Sequence, residues 1–225
     1  MSHDIAFLHT SPAHVVTFGA LMQTLAPDLR VSHSVREDLL ADAQKEGIDS
    51  TPLIARVREA LAEVAATGAA VVVCTCSTLG AIAESTDTGG AFHSSRIDRA
   101  MADEAVRHGP KVLLVAALQS TLAPTAALLQ SSADRLGTSI ELDSLVVEGA
   151  WSHFQAGRHG DYIDAIAAAV ARAAVRADII VLAQASMAPA ADLLGQRGVI
   201  ALTSPRLGVQ HAIMLCRQAG GVALR

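Results

Sequence analysis

The chain has few aromatic residues and few charges. Among its 225 residues are Phe 4, Trp 1 and Tyr 1, and charged residues make up only 17%. The formal net charge is -5, and Lys and Arg are scattered along the sequence. Because a nucleic-acid-binding surface needs clustered basic residues, we expect no nucleic-acid partner.

Long uninterrupted apolar runs are also absent. Arg172 and Arg176 interrupt the Ala-rich segment 165–177, and a membrane helix needs roughly 20 consecutive apolar residues. The N-terminal sequence MSHDIAFLHTSP lacks the basic region and longer apolar region of a secretory signal. Cysteine occurs three times, an odd number that does not make a disulfide framework. We therefore expect a cytoplasmic protein with free thiols and no membrane association.

Several cofactor and catalytic signatures are missing as well. The sequence contains neither GxGxxG nor GxxxxGK[ST], so neither a dinucleotide nor ATP is indicated. The pair Cys74 and Cys76 has no further Cys or His at a spacing that completes a zinc site. The esterase motif GxSxG is absent too. We expect no metal and no cofactor.

Short β-branched runs alternate with longer Ala- and Leu-rich segments of helical period. This alternation is typical of an α/β fold with buried, mainly parallel strands. The predicted strands are Ile5–His9, Leu29–Ser34, Ala70–Cys74, Val112–Ala117, Ile140–Val146, Ile179–Leu182 and Val199–Thr203. The clearest predicted helices are His14–Leu25, Leu53–Ala66, Ile97–Arg107, Leu122–Leu136, Tyr162–Val175 and Pro205–Gln218.

The pattern of the first half recurs in the second. An offset of 108 residues lays residues 70–81, AVVVCTCSTLGA, over residues 178–189, DIIVLAQASMAP, and so places Gln184 over Cys76. Two buried strands thus open into two loops of small residues. Gly109 and Pro110 both break helices and mark the boundary. We predict two similar half-domains, 1–108 and 109–225, related by pseudo-two-fold symmetry, with the active-site cleft between them.

Hydroxyl side chains follow several predicted strands. Ligands in parallel α/β sheets bind beyond the carboxyl ends of the strands, and hydroxyls near helix N-termini suit a carboxylate or phosphate. A helix cap is the alternative role for each residue. The predicted substrate-binding residues are Thr10, Ser11, Ser77, Thr78, Ser120, Thr121, Gln184 and Ser186.

Cys76 is the candidate catalytic residue. It lies at a predicted strand-to-helix junction, where the helix N-terminus is expected to lower the thiol pKa and give a base or nucleophile. Cys74 and Cys216 are interpreted as core residues. His9, at the end of the first strand, is the candidate second acid/base.

These residues resemble the aspartate/glutamate/hydantoin racemase superfamily over nearly the whole chain. Cys76-Ser77-Thr78 resembles that family's first Cys-[Asn/Ser]-Thr loop, and VLAQASMAPAADLL is similar to its second cysteine strand. Further similarity lies in Ala117 to Thr121, RIDRAMADEAV from Arg96 and TSPRLGV from Thr203. The resemblance implies a cofactor-independent isomerase of amino acid metabolism, in which two cysteines on opposite faces of a small acid move the proton next to its carboxylate.

The sequence departs from that family at two positions. Gln184 occupies the place of the second cysteine, and a carboxamide does not titrate for acid/base work. Ala117 replaces a hydroxyl residue of many relatives. Cys76 would then act alone, or with His9 or a bound water.

Four functions stay open at this point. They are a racemase or isomerase, a single-cysteine decarboxylase resembling arylmalonate decarboxylase, a nucleophilic isomerase resembling maleate isomerase, and a non-catalytic carboxylate-binding protein. The expected partner is a small carboxylic or amino acid, and a homodimer or higher homo-oligomer is compatible with the resemblance.

Overall fold

A computed structural model describes residues 3–173 and 177–222 of the chain. It divides into two compact units, Met1–Asp98 with Pro205–Arg225 and Arg99–Ser204. The end of the predicted helix Tyr162–Val175 lies outside the described residues. Among the helices of the described residues, none is long and apolar enough to cross a membrane.

The first unit is built on a four-stranded parallel sheet of order β2-β1-β3-β4. The central strands β1 and β3 are buried along their length and are apolar except for His9, as is typical of parallel strands covered on both faces. Its elements are β1 (Ile5–His9), α1 (Ala13–Leu25), β2 (Val31–Val35), α2 (Glu37–Glu46), α3 (Thr51–Ala65), β3 (Val71–Cys74), α4 (Gly80–Glu84) and β4 (His93–Arg96), together with α10 (Ser204–Val222).

The second unit repeats this topology, with the parallel strand order β6-β5-β7-β8. Its elements are α5 (Arg99–His108), β5 (Lys111–Ala116), α6 (Gln119–Leu136), β6 (Glu141–Val146), α7 (Ala150–Gln155), α8 (His159–Ala173), β7 (Ile179–Leu182), a 3-10 turn (Ala185–Met187), α9 (Ala188–Gly195) and β8 (Ala201–Thr203). The prediction of an α/β protein with parallel sheets is confirmed. Each unit has its own hydrophobic core.

The compact units differ from the predicted halves 1–108 and 109–225 in two helices. Helix α5 belongs to the second unit because it packs against α6, β7 and β8. Helix α10 belongs to the first unit, where Gly208 meets the Ile97 backbone so closely that an added Cβ would lie 2.1 Å from its carbonyl oxygen. Helix α5, from the predicted half 1–108, therefore belongs to the second unit, and helix α10, from the predicted half 109–225, belongs to the first.

The strand registers are equivalent in the two sheets. In the first sheet Leu8 pairs with Cys74, which pairs with Arg96. In the second sheet Val115 pairs with Leu182, which pairs with Thr203. The loops that begin at Thr75 and at Ala183 therefore leave their sheets at matching positions.

Candidate active site

The Cys76 loop, residues 75–79, connects β3 to α4. The Thr75 N–H donates to the Leu8 carbonyl at 3.0 Å and so extends the ladder between β1 and β3 by one residue. The Leu79 N–H donates to the Cys76 carbonyl at 3.1 Å and turns the chain into α4. The sheet therefore fixes the loop at its start, and the turn fixes it at its end.

The Cys76 thiol is buried among hydrogen-bonding groups. Its residue is 7% exposed. Burial raises the pKa of the thiol, while hydrogen bonds from the Thr10 side chain, the Leu79 and Thr78 backbone and the Thr78 side chain oppose that rise. The net direction is upward, so the predicted lowering of the Cys76 pKa is wrong. The error arose because the sequence indicated the N–H groups but not the depth of the thiol.

A buried ion pair supports this loop from β4. Arg96 and Asp98 are 3% and 0% exposed, and Arg96 Nε donates to Asp98 Oδ1 at 2.6 Å. Arg96 Nη2 also donates to the Ser77 carbonyl at 3.5 Å. A Cβ at Gly80 would lie 2.8 Å from the Arg96 guanidinium, so a larger residue here would displace the guanidinium from the loop. Asp98 holds the guanidinium and the guanidinium holds the loop.

His9 is fully buried and both of its ring nitrogens are engaged. Nδ1 lies 2.8 Å from Thr75 Oγ1, and Nε2 lies 2.9 Å from His33 Nδ1. The Thr75 hydroxyl donates to the Leu8 carbonyl at 3.3 Å, so His9 Nδ1–H donates to Thr75 and Nε2 accepts from His33. Burial and the charges of His33 and His14 lower the His9 pKa to about 3. The ring is neutral and holds Thr75, which opposes the acid/base role predicted for His9.

The other predicted residues of this unit lie around the same strand ends. Thr10, Ser77 and Thr78 are buried, and Ser11 is half-buried. The Ser11 carbonyl accepts from the His14 N–H at 3.2 Å, at the start of α1. Contacts with the thiol are made by Thr10 and Thr78.

The Gln184 loop, residues 183–187, holds the equivalent place in the second unit. Gln184 is 8% exposed, and its Oε1 accepts from the Ala117 N–H at 2.8 Å. Gln184 Nε2 and Ser120 Oγ are buried without a hydrogen-bond partner among the described residues. Thr121 is buried in the first turn of α6.

Ser186 is tied to a tyrosine of the second core. Its hydroxyl lies 2.9 Å from the Tyr162 hydroxyl. Burial raises the Tyr162 pKa, although the bond to Ser186 opposes that rise. Ser186 therefore carries a structural contact besides its predicted role in substrate binding.

The remaining cysteines occupy core positions. Cys74 is fully buried, its Sγ lies 3.7 Å from the Cys76 carbonyl oxygen, and burial raises its pKa. Cys216 Sγ lies 3.6 Å from the Asp4 carbonyl oxygen, and burial raises its pKa as well. Within residues 3–173 and 177–222, no three His, Cys, Asp or Glu side chains are grouped so as to hold a metal ion.

Sequence reasoning missed several residues that build the site. Arg96, Asp98, Thr75 and Tyr162 all hold a predicted site residue or its loop. Arg96 and Asp98 carried a usable signal, since two opposite charges flank Ile97, the first residue of a predicted helix. Thr75 gave no such signal, because its role depends on strand pairing.

No protein-family model and no curated protein matches the chain, but solved structures do. A glutamate racemase from Bacillus anthracis has a TM-score of 0.73 at 12% identity, over 97% of this chain and 83% of its own. The aspartate racemase of Picrophilus torridus has a TM-score of 0.72 at 13% identity, over 98% and 95%. An arylmalonate decarboxylase has a TM-score of 0.58 at 18% identity, over 95% and 92%. The predicted resemblance is confirmed at the level of fold: the chain has the fold of the aspartate/glutamate racemase superfamily.

Proposed function

We propose that this protein is a cofactor-independent enzyme that transfers a proton at the carbon next to the carboxylate of a small amino or carboxylic acid. Cys76 is its acid/base, and Thr10, Ser11, Ser77 and Thr78 bind the substrate. One observation carries the proposal: a buried thiol lies at the end of a central strand and bonds to hydroxyls and backbone N–H groups. The racemases that share the fold support the reaction class.

The surroundings of Cys76 suit proton transfer. Burial favours the neutral thiol, so the resting group is an acid at neutral pH. Once the thiol is deprotonated, the Thr78 and Leu79 N–H groups stabilise the thiolate, and the raised pKa makes that thiolate a stronger base. The thiol can therefore give a proton to a carbanion and take one from a substrate carbon.

A single-thiol decarboxylase is the second candidate, and Gln184 is the observation that favours it. A carboxamide cannot replace the second cysteine of a two-base racemase. In a decarboxylation the carbon–carbon bond to a carboxylate breaks, CO₂ leaves, and the electron pair stays on an enediolate. Cys76 then supplies the one proton required and is reprotonated from water. The arylmalonate decarboxylase with this fold supports this alternative.

Proton exchange in D₂O tests the proposal. We expect NMR to show exchange at the α-carbon of at least one acid from a panel of aspartate, glutamate and arylmalonates, with decarboxylation visible in the same spectra. Cys76→Ala should lower the rate at least about 100-fold, within the range that acid/base groups contribute. Cys216→Ala is the matched control and should keep the native rate. Equal rates in native protein and a folded Cys76→Ala variant would contradict the proposal.

A further inference from the structure

The Gln184 carboxamide is held in one orientation. Its Oε1 accepts from the Ala117 N–H at 2.8 Å, which commits the oxygen to the backbone at the end of β5. Because the amide is planar, Nε2 points away from that bond. Its two hydrogens have no acceptor among the described residues, although Gln184 is more than nine-tenths buried. Such a buried, unsatisfied donor is costly unless a ligand or water satisfies it.

This carboxamide lies at the start of a long helix. Ala117 directly precedes Leu118, the N-cap of the 18-residue α6, and no side chain caps that helix end. Ser120, in the first turn, has a buried hydroxyl with no partner in the described part of the chain. The Ser120 hydroxyl therefore lies at the positive end of the α6 dipole, and the bond to the Ala117 N–H brings the Gln184 carboxamide to the residue that precedes the N-cap.

No charged side chain of the two loops opposes a carboxylate. Residues 117–121 read ALQST and residues 183–187 read AQASM, so neither loop contains an acidic side chain that would repel a carboxylate. Neither contains a basic side chain that would select a phosphate by charge. A planar carboxylate can accept from a carboxamide N–H and a hydroxyl at once.

We infer that Gln184 is a specificity-determining residue that binds a carboxylate of the substrate through Nε2, assisted by the Ser120 hydroxyl. The inference rests on the proposed function only in assigning this carboxylate to the substrate. At the position of the family's second cysteine, this protein therefore has a fixed donor. The substrate class is a small acid that presents a carboxylate to the second unit.

The side-chain amide of Gln184 reports this contact directly. In nitrogen-15-labelled native protein, its signal is assigned by its loss in Gln184→Glu. We expect sodium malonate to shift it saturably, while sodium chloride at equal ionic strength does not. Aspartate and glutamate are titrated in the same way. Absence of a saturable shift with all three acids would overturn the inference.

Two variants separate hydrogen bonding from charge. Gln184→Glu retains an oxygen for the Ala117 N–H and replaces the donor with an acceptor, so malonate affinity should fall at least about tenfold. Gln119→Glu makes the same chemical change on an exposed side chain of α6 and should alter affinity by no more than about twofold. Native affinity in Gln184→Glu would overturn the inference. If Gln184→Glu does not fold, loss of the signal in Gln184→Met assigns it instead, and the native titration then decides.

The outcome is separable from that of the proposed function. Cys76→Ala should still bind malonate and still show the Gln184 shift, because the proposed carboxylate contact does not involve the thiol. If no acid exchanges a proton but Gln184 responds, the inference stands and the proposed function fails. If protons exchange but Gln184 stays silent, the inference fails and the proposed function stands.

Discussion

The Cys76 loop and the Gln184 loop occupy the same place in two units of the same topology, yet they hold different chemistry. Cys76 and Gln184 are each the second residue after their strand, β3 or β7. Each bonds to the residue that directly follows the first strand of its unit: Cys76 to Thr10, and Gln184 to Ala117. In the first unit that bond involves a group that can gain or lose a proton. In the second it fixes a group that cannot. Under the two proposals above, the first of these equivalent loops transfers the proton and the second binds the substrate.

The two loops are also supported differently. The last residue of β3, Cys74, pairs with Arg96 of β4 in the first unit. At the equivalent position of the second unit, Leu182 of β7 pairs with Thr203 of β8. Arg96 brings a buried charge and its partner Asp98 beneath the Cys76 loop, and His9 adds a neutral imidazole bonded to Thr75. The Cys76 loop is therefore supported by a buried ion pair, whereas Ser186 of the Gln184 loop is held by the Tyr162 hydroxyl.

Breaking the buried ion pair should produce the largest change in stability. Asp98→Asn leaves the buried Arg96 charge with only the more distant Glu84 carboxylate, at 4.0 Å, and should lower the free energy of unfolding by about 3–5 kcal/mol. Thr203→Val, at the equivalent strand position, should cost about 1 kcal/mol or less. Urea unfolding at neutral pH measures both. Similar losses of unfolding free energy in the two variants would contradict the view that the two loops are supported differently.

Acid should weaken the first unit through its buried histidines. The folded-state pKa values of His9 and His14 are lowered, chiefly by burial, to about 3 and about 4. Above the ordinary histidine pKa near 6.5, each ring is neutral in both the folded and the unfolded chain. As pH falls below 6.5, protonation favours the unfolded chain, and the free energy of unfolding decreases until the folded-state pKa is reached. The free energy of unfolding should then drop by up to about 1.4 kcal/mol per pH unit for each histidine.

Unfolding curves at pH values between 7 and 4 measure this loss. His9→Gln should reduce the slope, because one buried ring no longer has to be protonated. His93→Gln, on an exposed side chain, serves as the control and should retain the native slope. An unchanged slope in His9→Gln would mean that His9 is not held neutral by the fold.

A smaller change is expected from the hydroxyl beside the thiol. The Thr10 hydrogen bond lowers the Cys76 pKa, so Thr10→Val should raise it further and move the pH profile of proton exchange to higher pH. The rate at neutral pH should fall about tenfold if the bond contributes about 1.4 kcal/mol. Thr17→Val, on the exposed face of α1, should leave the profile in place. A uniform loss of rate with no shift of the profile would assign Thr10 a purely structural role.

Much of the architecture was predictable from apolar runs. Strands β1 and β7 have the predicted bounds, because buried runs such as Ile179–Leu182 end sharply at polar or small residues. Strand β4 was missed, since HSSR has no apolar alternation and forms a strand only by pairing with β3. The unit membership of α5 and α10 also depends on packing that no local pattern records.

The site was predictable in position but not in electrostatics. Cys76 and Gln184 could be aligned because their flanking runs match. The raised pKa of Cys76 and the neutral state of His9 depend on burial and on partners from other strands. The bond from Ala117 to Gln184 was hidden as well, because a backbone N–H leaves no trace in the sequence.

The ratio of proton exchange to inversion tests the central claim most directly. The native protein is incubated in D₂O with each enantiomer of an acid already shown to bind, and NMR follows deuterium incorporation while chiral chromatography follows inversion. With Cys76 as the only acid/base, one enantiomer should exchange its α-proton at least about tenfold faster than it inverts. Inversion as fast as exchange would contradict the account, because a second group would then be returning the proton from the other face.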